Sequence, residues 1–342
     1  VTLPKLLGIL AFILFSVICI AALFKSNSED QHPLVETTRL QLPLEVELEE
    51  DVHPVTPAPI VPAPIINIDK ALHEKSDEVG TIKELPSLSV ILPEADRIEE
   101  LFNKQAPRLE IVETVTYKSH VPWQKGRPAW LSDYASHYNT SKHFIARSLN
   151  GKADYWKQEV KEGDRFNVFR NDKNFHFHLV VDSSRCKMWF YYLDLDQKQK
   201  ILLKTYQVGL GRIDSSKTSG LLTPLGIYSL GRKIGIYKPK MNGTHLGKQK
   251  EMITVFGTRW IPFEKEIGVC TLPAKGFGVH GTPWTCHVEG KPSDNPASIG
   301  KYESDGCIRL KTDDMEEIFS IIITKPATIE IVRDFSEATF AI

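Results

Sequence analysis

Cysteine is scarce in this chain: five in 342 residues, at Cys19, Cys186, Cys270, Cys286 and Cys307. No two of them form a C-x-x-C pair, which leaves zinc ribbons and thioredoxin-like redox motifs without support. So long a chain with so few cysteines is also no small disulfide scaffold. Net charge is nearly absent, at −1, and gives no reason to expect a nucleic-acid partner. Glycine-rich phosphate loops are missing as well: downstream of Phe175 no Rossmann or P-loop fingerprint occurs.

The near-neutral total hides an asymmetry. Residues 26–105 hold 6 Lys/Arg against 17 Asp/Glu, a net of −11, and residues 106–342 hold 34 against 26, a net of +8. An acidic solvated linker beside an ordinary basic domain accounts for this. A basic part working beside an anionic polymer or membrane surface is the sharper alternative. Ahead of the linker, Leu6 to Phe24 is a run of 19 residues without a charge, enough for a helix to cross a hydrocarbon core of about 30 Å. Lys5 on one side and acids beyond Lys25 orient it with the N-terminus in the cytoplasm and the remainder exported. Residues 1–25 are therefore expected to be an N-terminal transmembrane helix, a single-pass anchor or else a signal sequence. Residues 26–105 are expected to be an extended acidic and Pro-rich linker, "HPVTPAPIVPAPI" at its centre.

From residue 106 to 172 the pattern changes to a small α+β module. "LEIVETVTY" alternates as a strand, and "PAWLSDYASHYNTSKHFIARSLNG" reads as two short helices. "YWKQEVKEGDRFNVF" returns as a second strand with a turn at Glu162–Gly163. Trp130 and Tyr138, at helical spacing with Leu131 and Tyr134, read as core. The helix run and the "KEGDRFNVF" close resemble a LysM module, although "KGRPAWL" stands where that family has its "GDTL" opening. The resemblance implies contact with glycan strands; a packing domain without a ligand is the alternative.

Residues 173–335 are mainly β. Short runs such as "FHLVVDSSRCKMWFYYL", "ILLKTYQVGLG", "ITVFGTRWIPF" and "ATIEIVRDF" are separated by Asp, Ser, Gly and Pro, the pattern of a sandwich or barrel. "TDDMEEIFSIIIT" is the one clear helix, with Thr312 expected as its N-cap. His176 and His178 alternate as sheet-face residues, and Cys186 and Cys270 read as packed core. Cys307 lies in "SDGCI" and His280 ends an apolar strand in "GVHGT". A cysteine nucleophile needs a base, a group that orients the base, and donors for the oxyanion. Gly306 allows close backbone approach, the N–H groups of Gly306 and Cys307 are natural donors, and a nearby imidazole is expected to lower the thiol pKa.

These residues resemble the YkuD-type L,D-transpeptidases. "VVDSSRCKMWFYY", "LLTPLGIYSL", "FGTRWIPF", "GVHGT", "ASIG" and "SDGCIRL" carry the likeness. It implies a YkuD-like β-sandwich with one or two helices, in which Cys307 is the acyl-accepting nucleophile and His280 its base. The carbonyl of Gly281 would orient the ring. Gly306, Ser304, Asp305 and Arg309 form the substrate-binding or oxyanion surround. Asp305 stands where the family usually has a second histidine, so it is expected to point away, to pair with a basic group such as Arg309, or to lower the activity. The 27 positions from His280 to Cys307 include an apparent insertion, "WTCHVEGKPSDNP". Cys286 and His287 within it read as rim residues, with a disulfide to Cys307 or a metal site with His280 as alternatives.

The implied function is peptidoglycan cross-linking: stem peptides are the substrates, a terminal D-residue leaves, and neither metal nor cofactor is needed. The place of action is outside a bacterial inner membrane, in the periplasm or extracytoplasmic space. An L,D-carboxypeptidase or amidase on the same fold, and a non-catalytic peptidoglycan-binding protein, are the alternatives.

Overall fold

In the computed structural model the described residues are 91–286 and 292–340. The apolar run 6–24, most of the linker, Cys19 and His287 lie outside them, as does the side chain of Cys286. Among the described residues no helix is long and apolar enough to cross a membrane.

The chain begins with a turn of helix, α1 (Glu99–Phe102), then β1 (Val112–Thr116), α2 (Leu131–His137), α3 (Lys142–Asn150) and β2 (Arg165–Phe169). β1 and β2 pair antiparallel, so this part is the strand–helix–helix–strand unit read from the sequence. Ser141 caps α3 by accepting from the N–H of His143, and Gly151 at φ 76° ends it. Leu131 and Tyr134 are buried, as the spacing demands, but Trp130 is 57% exposed. It sits at the N-cap of α2, outside the repeating face, and is not core.

The remainder forms β3 (Phe175–Asp182), β4 (Lys187–Asp194), β5 (Gln199–Gln207), β6 (Leu210–Gly211), β7 (Gly226–Leu230) and β8 (Gly235–Ile236). A hairpin of β9 (Asn242–His245) and β10 (Lys248–Glu251) precedes α4 (Ile253–Phe256) and β11 (Arg259–Ile267). Then come β12 (Gly278–Gly281), a small pair β13 (Thr285–Cys286) and β14 (Pro292–Ser293), β15 (Tyr302–Ser304) and β16 (Ile308–Leu310). The last elements are α5 (Thr312–Ile322) and β17 (Ala327–Val332). "ITVF" is thus a helical turn rather than the start of β11: Gly257 at φ 63° breaks it from the strand. Thr312 is the first helical residue of α5, not its cap; Lys311 holds that place without a side-chain bond.

The main sheet runs β16-β12-β11-β7-β17-β3-β4-β5, with β8 on β11. Just past β5, Gly209 bridges back to Arg309 of β16, with N···O distances of 2.9 and 2.8 Å in the two directions. That bridge joins the two ends of the strand order around one core, which α5 helps fill. The closing glycine has no room for a side chain, since a Cβ there would lie 2.5 Å from the carbonyl of Ser298.

Residues 91–105, read as part of the linker, belong to the folded body. Ile98 and Leu101 are 1% and 0% exposed and share the core of the main sheet. Phe144 and Phe169 join the same core, and Phe169 packs on Phe175 and Phe177 at ring-centroid distances of 5.6 and 5.7 Å. The junction near residue 172 is therefore a packed seam, not a hinge. His178 is fully buried against Glu330, 3.1 Å away, so it is a paired core histidine. Cys186 is buried, and Cys270 packs on the core with Sγ 3.3 Å from the carbonyl of Ile227.

A shared core predicts shared cooperativity. Phe169→Ala should cost about 3–5 kcal/mol, the usual scale for a buried aromatic. It should lower one unfolding transition for residues 91–340 as a whole. Two resolved transitions in calorimetry, with only the smaller one moved, would show that the first unit folds independently.

Candidate active site

Two short strands build the site. β12 and β16 pair parallel, with Val279 opposite Ile308, His280 opposite Arg309 and Gly281 opposite Leu310. Successive side chains in a strand face opposite ways. Val279, Ile308 and Leu310 are buried in the main core. The alternate residues, His280 and Arg309, therefore share the other face, and Cys307, two positions before Arg309, lies at the strand entrance on that same side.

The loop before β16 is held by Ser304. Its hydroxyl donates to the carbonyl of Cys307 at 2.7 Å and accepts from the N–H of Gly306 at 3.1 Å. Ser304 is 1% exposed. It is thus a staple of the turn rather than a surface for substrate, and the Gly306 N–H is engaged within the protein instead of aimed at an oxyanion. The N–H of Cys307 has no such partner among the described residues. Gly306 is required for a different reason: its φ is 119°, and a Cβ would lie 2.4 Å from the ring of Phe277.

His280 is 3% exposed, and its Nδ1 lies 2.7 Å from the carbonyl oxygen of Gly281. A carbonyl only accepts, so Nδ1 carries the proton and Nε2 is the free acceptor, the tautomer a general base needs. Phe256 meets the imidazole edge-on at 5.4 Å, and Trp260, its register partner on β11, lies 5.8 Å away. Burial in this cage pushes the pKa of His280 down to about 4, with the Arg309 charge adding to it and the Gly281 and Phe256 carbonyls opposing.

The thiol departs from expectation. Burial pushes Cys307 up to about 12; a backbone hydrogen bond from Gly278 and the charge of Arg309 pull it down, and Asp305 adds slightly to the rise. The Sγ lies 3.8 Å from the carbonyl oxygen of Gly276. No hydrogen bond joins Cys307 to His280 among the described residues. Both shifts favour the neutral thiol and the neutral imidazole over the ion pair that the sequence suggests, because desolvation outweighs the neighbouring charges.

Asp305 turns outward, 80% exposed, and pairs with Arg212 at 2.6 Å, not with Arg309. Ninety-three positions separate the partners in sequence, which is why the pair is not readable there; the exposed bridge itself contributes about 1 kcal/mol or less. Arg309 keeps its guanidinium near the sulfur, with Nε buried and without a protein partner. Burial lowers its pKa, while Cys307, Asp305 and Glu303 raise it. The insertion after Trp284 is anchored by the bond from Thr282 Oγ1 to Asp294 and by the β13–β14 pair. No group of three or more His, Cys, Asp or Glu able to hold a metal occurs among the described residues.

The class that this sheet and rim match is the L,D-transpeptidase catalytic domain, YkuD, whose family model covers residues 176–331. Among particular proteins, the chain is 27% identical over 121 residues to YkuD of Bacillus subtilis (strain 168), a protein named as an L,D-transpeptidase. That stretch is 35% of this chain and 49% of the relative. The Bacillus licheniformis protein of the same name is 28% identical over 121 residues, 35% of this chain and 48% of its own. The chain thus spans about half the length of the curated relatives it matches. The crystal structure of the helical cell shape determining protein Pgp2 from Campylobacter jejuni aligns at 15% identity and a TM-score of 0.31. That alignment covers 47% of this chain and 49% of the other.

Two pH measurements follow from the site. Alkylation of Cys307 by iodoacetamide, followed by peptide mass spectrometry, should rise about tenfold per pH unit from pH 7 to 9. A plateau already reached near pH 7 would mean a resting thiolate. Folding stability carries the second signature. The pKa of His280 falls from the ordinary 6.5 to about 4 on folding, so the unfolded chain binds this proton first as pH drops. Its contribution is complete above 6.5 and is lost as pH falls toward 4. Urea unfolding of His280→Gln should show a shallower loss over that window than wild type, and parallel curves would remove His280 as the cause.

Proposed function

We propose that this chain is a peptidoglycan L,D-transpeptidase acting through Cys307. The observation that carries the reading is the common face of Cys307, His280 and Arg309 on paired strands, within the segment that matches the L,D-transpeptidase domain. Nε2 of His280 takes the thiol proton as Sγ attacks the carbonyl of the amide between the diamino acid and the terminal D-residue. The Cys307 N–H faces the developing oxyanion as its unengaged donor. Collapse of the tetrahedral species breaks the C–N bond; His280 returns the proton to the leaving amine, and a thioester remains on Sγ. An amine of a second stem attacks that thioester and gives a proton to Nε2 of His280; the C–S bond breaks, the proton returns to Sγ as the thiol, and the cross-link forms. Water in place of the amine gives an L,D-carboxypeptidase.

Gly281 orients the base through its carbonyl, and Arg309 holds positive charge where the substrate must lie. The strand–helix–helix–strand unit is proposed to be LysM-like and to lie along the glycan. Residues 1–25 are proposed to anchor the chain in the bacterial inner membrane, leaving the catalytic domain in the periplasm. Stem peptides are then the substrates and the membrane the site of attachment.

The test is mass spectrometry of the protein incubated with a purified tetrapeptide-stem muropeptide. Wild type should gain the acyl mass and release the terminal residue, and Cys307→Ser should do neither while melting normally. His280→Ala should slow acylation by about a hundredfold or more, with partial recovery as pH rises. Cross-linking by Cys307→Ser at the wild-type rate would remove the assigned nucleophile. Thioester formation followed only by water attack would establish the carboxypeptidase instead, and no adduct at all would favour a binding protein.

A further inference from the structure

The β9–β10 hairpin brings a second imidazole to the site. Its loop is only Leu246–Gly247, both in the left-handed region at φ 50° and 68°, the geometry of a tight two-residue turn. His245 and Lys248 are the closing pair. So short a turn fixes the position of His245 at the hairpin end.

There His245 is half-buried and meets the ring of Phe256 edge-on, 5.4 Å between centroids and 87° between planes. His280 meets that same ring at 5.4 Å and 84°. One phenyl group therefore carries both imidazoles. Burial and Lys250 disfavour the charged form of His245 and Asp305 favours it, with a net downward shift. His245 in turn lowers the pKa of His280. Beside the Cys307 N–H, the side chain at position 305 of the nucleophile's loop adds no donor. Asp305 turns out to Arg212, and the Gly306 N–H is taken by Ser304.

We infer that His245 is a substrate-orienting residue of this site, donating a ring N–H to a carbonyl or carboxylate oxygen of the acyl-donor peptide. The inference rests on the acyl-transfer reading above. A neutral imidazole has one N–H to give.

The experiment compares wild type, His245→Ala, His245→Gln and the double variant His245→Ala/Asp305→His. For each, acylation by a tetrapeptide-stem muropeptide gives kcat/KM, iodoacetamide gives the alkylation rate of Cys307, and melting reports the fold. The expected result is a fall of about tenfold in kcat/KM for His245→Ala, the scale of one neutral hydrogen bond. Alkylation and melting should stay unchanged, and both His245→Gln and the double variant should recover most of the loss by restoring a donor. Equal kcat/KM for His245→Ala and wild type overturns the inference alone. So does a loss matched by slower alkylation, or one that neither donor-bearing variant restores. Wild type that alkylates normally yet forms no thioester with the muropeptide overturns the acyl-transfer reading, and the inference with it.

Discussion

The register between β12 and β16 is the constraint on which the site depends. Sliding one strand past the other by a single residue would turn every side chain to the opposite face. Ile308 and Leu310 would leave the core and Arg309 would enter it. Each such apolar side chain contributes about 2 kcal/mol when fully buried, and Val279, Ile308 and Leu310 are 1%, 0% and 0% exposed. The backbone adds a second lock, because Arg309 exchanges two hydrogen bonds with Gly209 on its free edge. The placement of Cys307 and His280 is thus enforced by residues that take no part in chemistry.

The same burial that fixes the geometry sets the electrostatics. A cage of Phe256 and Trp260 keeps His280 neutral, and the desolvated thiol stays protonated. Burial disfavours the charged form of each, so proton transfer from thiol to ring is costly. In the acyl transfer proposed above, a substrate that develops negative charge near Arg309 and the Cys307 N–H would shift that balance.

Much of this was legible in the chain. "GVHGT" and "SDGCIRL" carry the alternation of apolar and reactive residues that the paired strands display, and the order of strands and helices around residues 109–169 follows from their periodicity. What was not legible involves partners distant in sequence. Arg212 compensates Asp305 across a fold closure, and His245 reaches the site only because its hairpin packs on Phe256. Ser304 reads as one more polar loop residue until its two bonds are seen. Local propensity misled in "ITVF", whose β-branched residues suit a strand but which Gly257 cuts off as a helical turn. The burial of Ile98 and Leu101 was hidden because they are isolated apolar residues in an acidic stretch, with too short a period to register.

The strand–helix–helix–strand unit does more than precede the catalytic sheet. Arg259, 2% exposed, begins β11 and is followed by Trp260, the residue that walls His280. Its guanidinium donates to Asp154 at 2.5 Å, lies 3.5 Å from Glu316 of α5, and bonds its neighbour's carbonyl on Thr258. Asp154 belongs to the first unit and also approaches His143 of α3 at 3.3 Å. Burial alone would raise the pKa of Asp154, but the nearby His143 and the charge of Arg259 bring it down to about 2, so it stays ionised opposite the guanidinium. A buried charge of this kind tolerates no vacancy in its partner, since stranding one member costs about 3–5 kcal/mol. The first unit therefore supplies the counter-charge that lets an arginine occupy the root of β11, and alternation along that strand turns the next side chain, Trp260, toward the imidazole. The cage around the base is held partly from outside the domain that contains it.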